Sequence, residues 1–307
     1  MRKILIYLIV INLFFNNIFA LENKIILKIN NEPITSIDIL NEIERLIFFE
    51  PKLTEVTKKE LYEIAVQSIS KYKIKEIEIS KKFEIKNFDN ENYVNSILKK
   101  QASSLNYNSI DELKEKMILN NLNFSEHKQK IIIDILWNQI IYDLYFSKVK
   151  INEEILKDKI KKQDKNSESF FLREIAFVSD NKSSIAEKYD VIKNDINIIG
   201  FGAAAIKHSI SDTAKTNGDL GWVNASSINP EILNIIKSLK NNEFTKPIRV
   251  QSSFVILQLV ETRKNDQELD FDNELKALIN YETNSQLKNF SNLYFNKINK
   301  NIKIDAP

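Results

Sequence analysis

The chain has 307 residues, and its 44 basic and 42 acidic side chains give a formal net charge of +2. This balance argues against nucleic acid and anionic lipid as partners, because both are recognised through clustered basic side chains. The lack of cysteine excludes disulfides, thiolate metal sites and lipid attachment through cysteine. With only two histidines and no phosphate-binding glycine loop, we expect no metal, no nucleotide and no other cofactor.

The N-terminus has the pattern of a secretory signal peptide. Arg2 and Lys3 precede an apolar stretch over 4–15, and Ala20 is the expected last residue before cleavage. The apolar stretch is shorter than the roughly 20 residues of a membrane-spanning helix. We therefore predict a cleaved segment at 1–20, a periplasmic location and no stable membrane insertion. An uncleaved membrane anchor is the alternative.

The mature chain is predicted to begin with a short strand and two capped helices. The strand covers 24–29. Thr35 and Asp38 have the spacing of a capping box, in which each residue satisfies the other's backbone amide at the start of a helix. Thr57 and Glu60 repeat this spacing before a second helix.

Further helices are predicted from apolar residues at helical spacing and from capping residues. They cover 90–103, 110–120 after Ser109, 125–146, and 153–161 after Asn152. The helix over 125–146 is apolar around too much of its surface for an isolated surface helix, which indicates a central position. A polar stretch over 161–169 predicts a linker. We place a helical domain at 21–166.

The segment 167–264 predicts a small domain of strands and helices. Its predicted elements are a strand over 170–178, helices over 183–194, 203–208 and 230–239, and a closing strand over 253–262. The first strand is apolar enough to be covered on both faces, and Pro230 suits the first turn of its helix. All four glycines lie between Gly200 and Gly221, so tight backbone geometry is concentrated in this domain.

Residues 265–307 return to helical character. Apolar side chains recur as a stripe from Phe271 to Ile298. A lone amphipathic helix needs a partner for its apolar face. We therefore predict that this segment packs back onto the N-terminal helices.

Two parts of the chain resemble known families. The run FGAAAIKHSISDTAKTNGDLGW over 201–222 resembles the middle of a parvulin-type prolyl isomerase domain of the PpiC type. The run IILKINNEPITSIDILNEIERL over 25–46, with the helices that follow it, resembles the N-terminal domain of the SurA family of periplasmic chaperones. Together they imply an α+β protein, in which a SurA-type helical domain, completed by the C-terminal helix, carries one small parvulin-like domain.

The resemblance to parvulins implies a definite chemistry. Such a domain lowers the barrier of about 18–20 kcal/mol to rotation about an X-Pro bond, without a covalent step. The apolar cup that holds the proline ring in the family maps to Leu220, Ile228 and Ile232. These three residues could equally be ordinary core residues.

The polar positions of the parvulin-like domain depart from the family. The first catalytic histidine of the family maps to Glu174 and the second to Val255, so we predict that both are missing. Ser211 stands at the position of the family's cysteine or aspartate. Ser211, Ser252 and Glu174 could supply a rebuilt polar network, whereas Val255 offers no hydrogen-bonding group.

Other departures from the family are predicted to be structural. His208 and His127 are expected to pack in the fold rather than to bind a ligand. Asn217 and Asn242 stand where the family has glycine. Because asparagine tolerates the left-handed backbone region best among residues with a side chain, we predict that the backbone of the family is retained at both turns.

The predicted function is that of a periplasmic folding factor. Its expected partners are unfolded outer-membrane or secreted proteins and their X-Pro segments, and the parvulin-like domain is expected to bind or brace. Two alternatives are an active prolyl isomerase with a rebuilt polar network and an adaptor that docks a single partner.

Overall fold

A computed structural model of the chain describes residues 23–161, 168–179, 182–250, 253–264 and 271–305. The predicted signal peptide, most of the predicted linker and Ser252 lie outside the described residues. Nine α-helices are present in the described ranges: α1 Ser36–Phe49, α2 Lys58–Ser80, α3 Glu91–Ser104, α4 Ile110–Leu119, α5 Phe124–Tyr145, α6 Glu153–Lys161, α7 Lys182–His208, α8 Pro230–Lys237 and α9 Phe271–Asn299.

Seven strands form two antiparallel sheets among the described residues. The strands are β1 Ile25–Ile29, β2 Glu32–Thr35, β3 Glu168–Phe177, β4 Asp219–Asn224, β5 Ile248–Val250, β6 Ser253–Lys264 and β7 Ile304–Asp305. The smaller sheet has the order β2-β1-β7, and the larger has the order β4-β3-β6-β5. The predicted α+β class is confirmed.

The predicted helix starts are confirmed at α1 and α2. The backbone N–H of Thr35 donates to the Asp38 carboxylate at 2.8 Å, and the N–H of Asp38 donates to the Thr35 hydroxyl at 3.3 Å. Thr57 and Glu60 exchange the same pair of bonds at 3.1 and 3.2 Å. Each box satisfies amide groups that the first helical turn would otherwise leave unpaired.

Helix α5 lies at the centre of the helical part, and α9 packs against it. Trp137 of α5 is fully buried, and its indole N–H donates to the hydroxyl of Ser291 on α9 at 2.8 Å. Its ring also contacts Tyr294 and Phe295, with centroids 5.6 and 6.1 Å away. Burial of this aromatic surface supplies the partner that the apolar stripe of α9 requires.

The first and last described strands lie side by side. Lys28 pairs with Asp305 and Ile29 with Ile304 in an antiparallel ladder. The N–H of Asn30 donates to the carbonyl of Lys303 at 2.8 Å. The chain after α9 is therefore tied by backbone bonds to the strand that precedes α1.

Helix α7 runs from Lys182 to His208 but is broken at Gly200, where φ is +82° and ψ is +166°. It therefore consists of two helical stretches, as predicted over 183–194 and 203–208, and both stretches reach closer to Gly200 than predicted. Ile196 and Phe201, in these added turns, are buried against the larger sheet. Ile199 and Ala203, on either side of the break, belong to the core of the N-terminal helices. Residues on both sides of the break thus pack on both parts of the molecule.

The larger sheet is covered on both faces, as predicted for its central strand. Ile175 and Ile256 point to the face covered by α7, whereas Leu172, Leu257 and Ile236 of α8 form the apolar cluster on the opposite face. Successive side chains of a strand alternate between faces, so β3 contributes to both clusters.

Candidate functional site

Glu174 lies on the face of β3 that is opposite α7. It pairs with Leu257, and Ala176 two residues later pairs with Val255, so all four residues share this face. Glu174 is only 7% exposed. A carboxylate at this depth costs free energy unless donors surround it.

Three donors converge on the Oε1 atom of Glu174. The hydroxyls of Ser211 and Thr213 lie 2.7 and 2.8 Å away. The third donor is the Nζ atom of Lys288, which forms a short ion pair with the same oxygen. Lys288 belongs to α9, outside the parvulin-like segment, so the buried Glu174 carboxylate is satisfied across two parts of the chain.

The position of Ser211 is determined by the turn that follows it. Its hydroxyl accepts from the N–H of Thr213 at 3.4 Å and caps the 3₁₀ helix over 212–216. The hydroxyl of Ser209 accepts from the N–H groups of Ala176 and Ser211 at 3.0 and 3.2 Å. These bonds hold the Ser211 side chain against β3, within reach of Glu174.

The predicted proline cup lies in the apolar cluster of the same sheet face. Ile228 is 8% exposed, and Leu220 and Ile232 are half-buried and pack against the cluster. Val255 belongs to this cluster as well. The structure thus brings Glu174 and Ser211 to the sheet face that also carries the three cup residues. The same packing suits ordinary core residues, so their role as a cup stays a prediction.

Sequence reasoning missed Thr213 and Lys288. Thr213 follows Ser211 by two residues, and the capped turn makes both hydroxyls point to β3. Lys288 has no local signal, because its partner Glu174 lies 114 positions away in the chain. Glu274, also on α9, makes a second contact with the parvulin-like segment. The side-chain amide of Asn224 on β4 donates to the Glu274 carboxylate at 3.0 and 3.2 Å. One side of α9 therefore runs along the parvulin-like segment.

A second set of ion pairs joins the parvulin-like segment to the N-terminal helices. Lys75 of α2 is 5% exposed, and its Nζ lies 3.1 Å from Asp212 and 3.3 Å from Asp134 of α5. Lys215 contacts Asp134 at 2.5 Å. Burial lowers the pKa of Lys75, but the charges of Asp134 and Asp212 outweigh it and hold that pKa above its usual value.

A pocket of about 90 Å³ lies where α1, α2, α9 and the segment over 206–215 meet. We call it the junction pocket. Its walls include Leu46, Lys71, Asp212 and Phe295. The residues of the predicted proline cup do not line it.

Both histidines contact other side chains of the fold. The ring of His127 is buried, stacks on Phe49 with centroids 4.8 Å apart, and shares a 2.9 Å hydrogen bond with Gln101. His208 lies 2.5 Å from Asp195 on α7. Within the described ranges, no three acidic or histidine side chains come together as metal ligands would.

Parts of the chain match known proteins. Residues 171–261 match the family model described as "Rotamase: PPIC-type PPIASE domain". Chaperone SurA of Xylella fastidiosa is 27% identical over 165 residues, which cover 52% of this chain and 36% of that protein. Chaperone SurA of Pseudomonas putida is 25% identical over 165 residues, or 50% of this chain and 39% of that protein.

A solved structure from Campylobacter jejuni, described as a SurA-like chaperone, covers 93% of this chain and 99% of its own chain. Its sequence identity is 15% and its TM-score is 0.34.

The fold and the matched segment define a protein in which a PPIC-type peptidyl-prolyl isomerase domain at 171–261 is attached to a helical part. More particularly, about half of the chain is similar in sequence to the SurA chaperones. It corresponds to little more than a third of the length of those curated relatives. In the part of the chain that the structure describes, the helices lack the combined length and apolarity that crossing a bilayer requires.

Proposed function

We propose that the protein is a periplasmic chaperone that holds unfolded outer-membrane or secreted proteins, and that its PPIC-type domain acts mainly as a binding and bracing module. The observation that carries the second part is the contact between Glu174 and Lys288. A group that acts on a bound peptide must be free to reach it. Here the polar group at the family's histidine position is already bonded to Ser211, Thr213 and a lysine of another part of the chain.

Separating the two charges would be costly. The side chain of Glu174 is 9% exposed, and removal of one partner from a buried ion pair costs about 3–5 kcal/mol. The side chain of Lys288 is 31% exposed, so the lower end of this range applies. The docked arrangement is therefore favoured over one in which Glu174 faces a substrate.

Exposed aromatic side chains support the chaperone part of the proposal. Tyr142 and Phe146, at the end of α5, are 44% and 46% exposed and stack with centroids 4.3 Å apart. Aromatic surfaces that stay in contact with water are typical of sites that bind other chains. Apolar segments of an unfolded β-barrel protein could be covered there, which would keep strand edges from pairing with one another.

An active isomerase is the second candidate. It is favoured by the family match over 171–261 and by the two hydroxyls of Ser211 and Thr213 beside the apolar cluster. In this alternative, Leu220, Ile228 and Ile232 hold the proline ring and Glu174 tunes the amide.

One experiment with two readouts on the mature protein tests the proposal. An outer-membrane β-barrel protein is diluted from urea, and its aggregation is followed by light scattering with increasing amounts of the protein. In parallel, isomerisation of a proline tetrapeptide is followed over the same concentrations. We expect suppressed aggregation at about stoichiometric amounts and an isomerisation rate that stays at its thermal value.

Unchanged aggregation at a tenfold excess would refute the chaperone function. An isomerisation rate that rises with protein concentration would establish the isomerase, provided that Leu220→Asp and Ile232→Asp abolish the increase. Leu119→Asp is the matched control, because Leu119 is 67% exposed on α4, outside the matched domain.

A further inference from the structure

The junction pocket carries an excess of positive charge. Its charged lining residues are Arg45, Lys71, Lys75, Lys215 and Asp212. Arg45 forms an ion pair with Glu42 at 2.6 Å, and Lys130, which does not line the pocket, contacts the same carboxylate at 2.7 Å. Lys75 and Lys215 share the carboxylates of Asp212 and Asp134. Two ammonium groups and two carboxylates thus cancel, and Lys71 is the remaining charge.

Lys71 has no ion-pair partner among the described residues, although its side chain is half-buried. Burial lowers the pKa of Lys71; the Asp212 carboxylate opposes this effect, and the ammonium groups of Lys215 and Lys75 add to it. An anion that enters the pocket would stabilise a cation in this position, because it replaces the favourable interactions with water that the cation loses on burial.

The remaining walls are mostly apolar, with carboxamides among them. Ile206, Ile210 and Phe295 line the pocket together with Gln67 and Asn292. A ligand that fits must therefore combine a carboxylate, a short apolar group and groups that hydrogen-bond to amides. The last residue of a polypeptide has all three, whereas a fatty acid lacks the amide.

We propose that the junction pocket binds the C-terminal residue of an extended polypeptide, with the α-carboxylate at Lys71 and the side chain against Ile206 and Phe295. This inference deepens the proposed chaperone function and rests on it for the nature of the ligand. Residues of α2, of the parvulin-like segment and of α9 all contribute to the pocket. An occupied pocket would therefore also hold the parts of the molecule together.

The test uses the mature protein and two dye-labelled hexapeptides, Gly-Ser-Gly-Ser-Gly-Leu with a free C-terminus and the same peptide as its C-terminal amide. Fluorescence anisotropy gives the dissociation constant of each. We expect the free acid to bind at least tenfold more tightly than the amide. Lys71→Met should remove this difference.

Lys59→Met is the matched control, because Lys59 lies on the same helix, is exposed and does not line the pocket. Equal affinities of acid and amide, or a difference that survives Lys71→Met, would overturn the inference. Octanoate serves as a competitor that has a carboxylate without an amide. If octanoate binds in a Lys71-dependent way and the peptide acid does not, the pocket takes an acyl chain instead.

The aggregation assay separates this inference from the proposed function. If the wild-type protein fails to suppress aggregation but still discriminates acid from amide, the chaperone proposal fails and the pocket stands. If it suppresses aggregation without discriminating the two peptides, the pocket proposal alone fails.

Discussion

His127 is a neutral residue kept deep in the helical part by its surroundings. Its side chain is 4% exposed, and Arg45 and Lys130 lie nearby. Burial is the largest cause, and with these two charges it lowers the pKa of His127 to about 3. The folded protein therefore leaves this ring uncharged at pH values where an unfolded chain would protonate it.

The stability of the protein should therefore fall with acid in a way that depends on His127. In the unfolded chain the ring takes up a proton near pH 6.5, whereas the folded state resists protonation until about pH 3. The contribution of the neutral ring to the free energy of unfolding is thus fully present above pH 6.5. It is lost progressively as the pH falls towards 3, by up to about 1.4 kcal/mol per pH unit. His127→Gln should show a correspondingly smaller loss in urea titrations at pH 7, 6 and 5. Equal pH slopes for the two proteins would contradict the prediction.

The turn between the 3₁₀ helix and β4 shows how backbone conformation is preserved under substitution. Asn217 has φ +58° and Gly218 has φ +80°. Asn242, the other asparagine predicted to replace a glycine of the family, has φ +70°. The prediction that asparagine retains a left-handed backbone is confirmed at both turns. Gly218 has a further constraint, because the N–H of Glu174 donates to its carbonyl at 2.8 Å.

Gly218→Ala should destabilise the protein strongly. A β-carbon at this position would lie 2.5 Å from the carbonyl oxygen of Glu174, and φ +80° is unfavourable for alanine. We expect a loss of more than about 2 kcal/mol in thermal or urea unfolding. Asn217→Gly is the control and should change stability by less than about 1 kcal/mol, since glycine accepts the same φ. A loss as large in the control would show that backbone conformation is not the cause.

Much of each element was predictable from local sequence, because caps and helical spacing are local properties. Thr35 and Thr57 mark their helix starts, and Pro230 occupies the first turn of α8. The extension of the first stretch of α7 beyond Asn194 was not predictable, since it depends on burial of Ile196 against a distant sheet. The contact of Lys288 with Glu174 joins residues 114 positions apart, and no local pattern encodes such a pair.

At the scale of the whole molecule, the ion pairs of Lys75 hold the parvulin-like segment to the N-terminal helices. Asp134 and Asp212 are 39% and 44% exposed, so removal of Lys75 should weaken docking by only about 1–2 kcal/mol. Because the chain has no cysteine, thiol-reactive dyes attach only where the substitutions Glu115→Cys and Asn234→Cys introduce one. We expect Lys75→Met to lower energy transfer between them, and more so at high salt.

Lys73→Met is the control for this measurement. Lys73 lies on the same helix, but its ion pairs with Glu76 and Glu32 stay within the N-terminal part. Unchanged transfer in Lys75→Met, with a native circular dichroism spectrum, would show that the buried ammonium group does not set the docking equilibrium.

The position of α9 determines the order in which the protein can fold. Trp137 and its neighbours on α5 are covered by residues near 291–295, so that core cannot close until those residues are available. The larger sheet is complete by residue 264 and can form earlier. During synthesis or translocation, the helical part would therefore expose its own apolar surface longest. Until α9 is available, the helical part of this protein exposes apolar surface, as do the unfolded chains that it is proposed to hold.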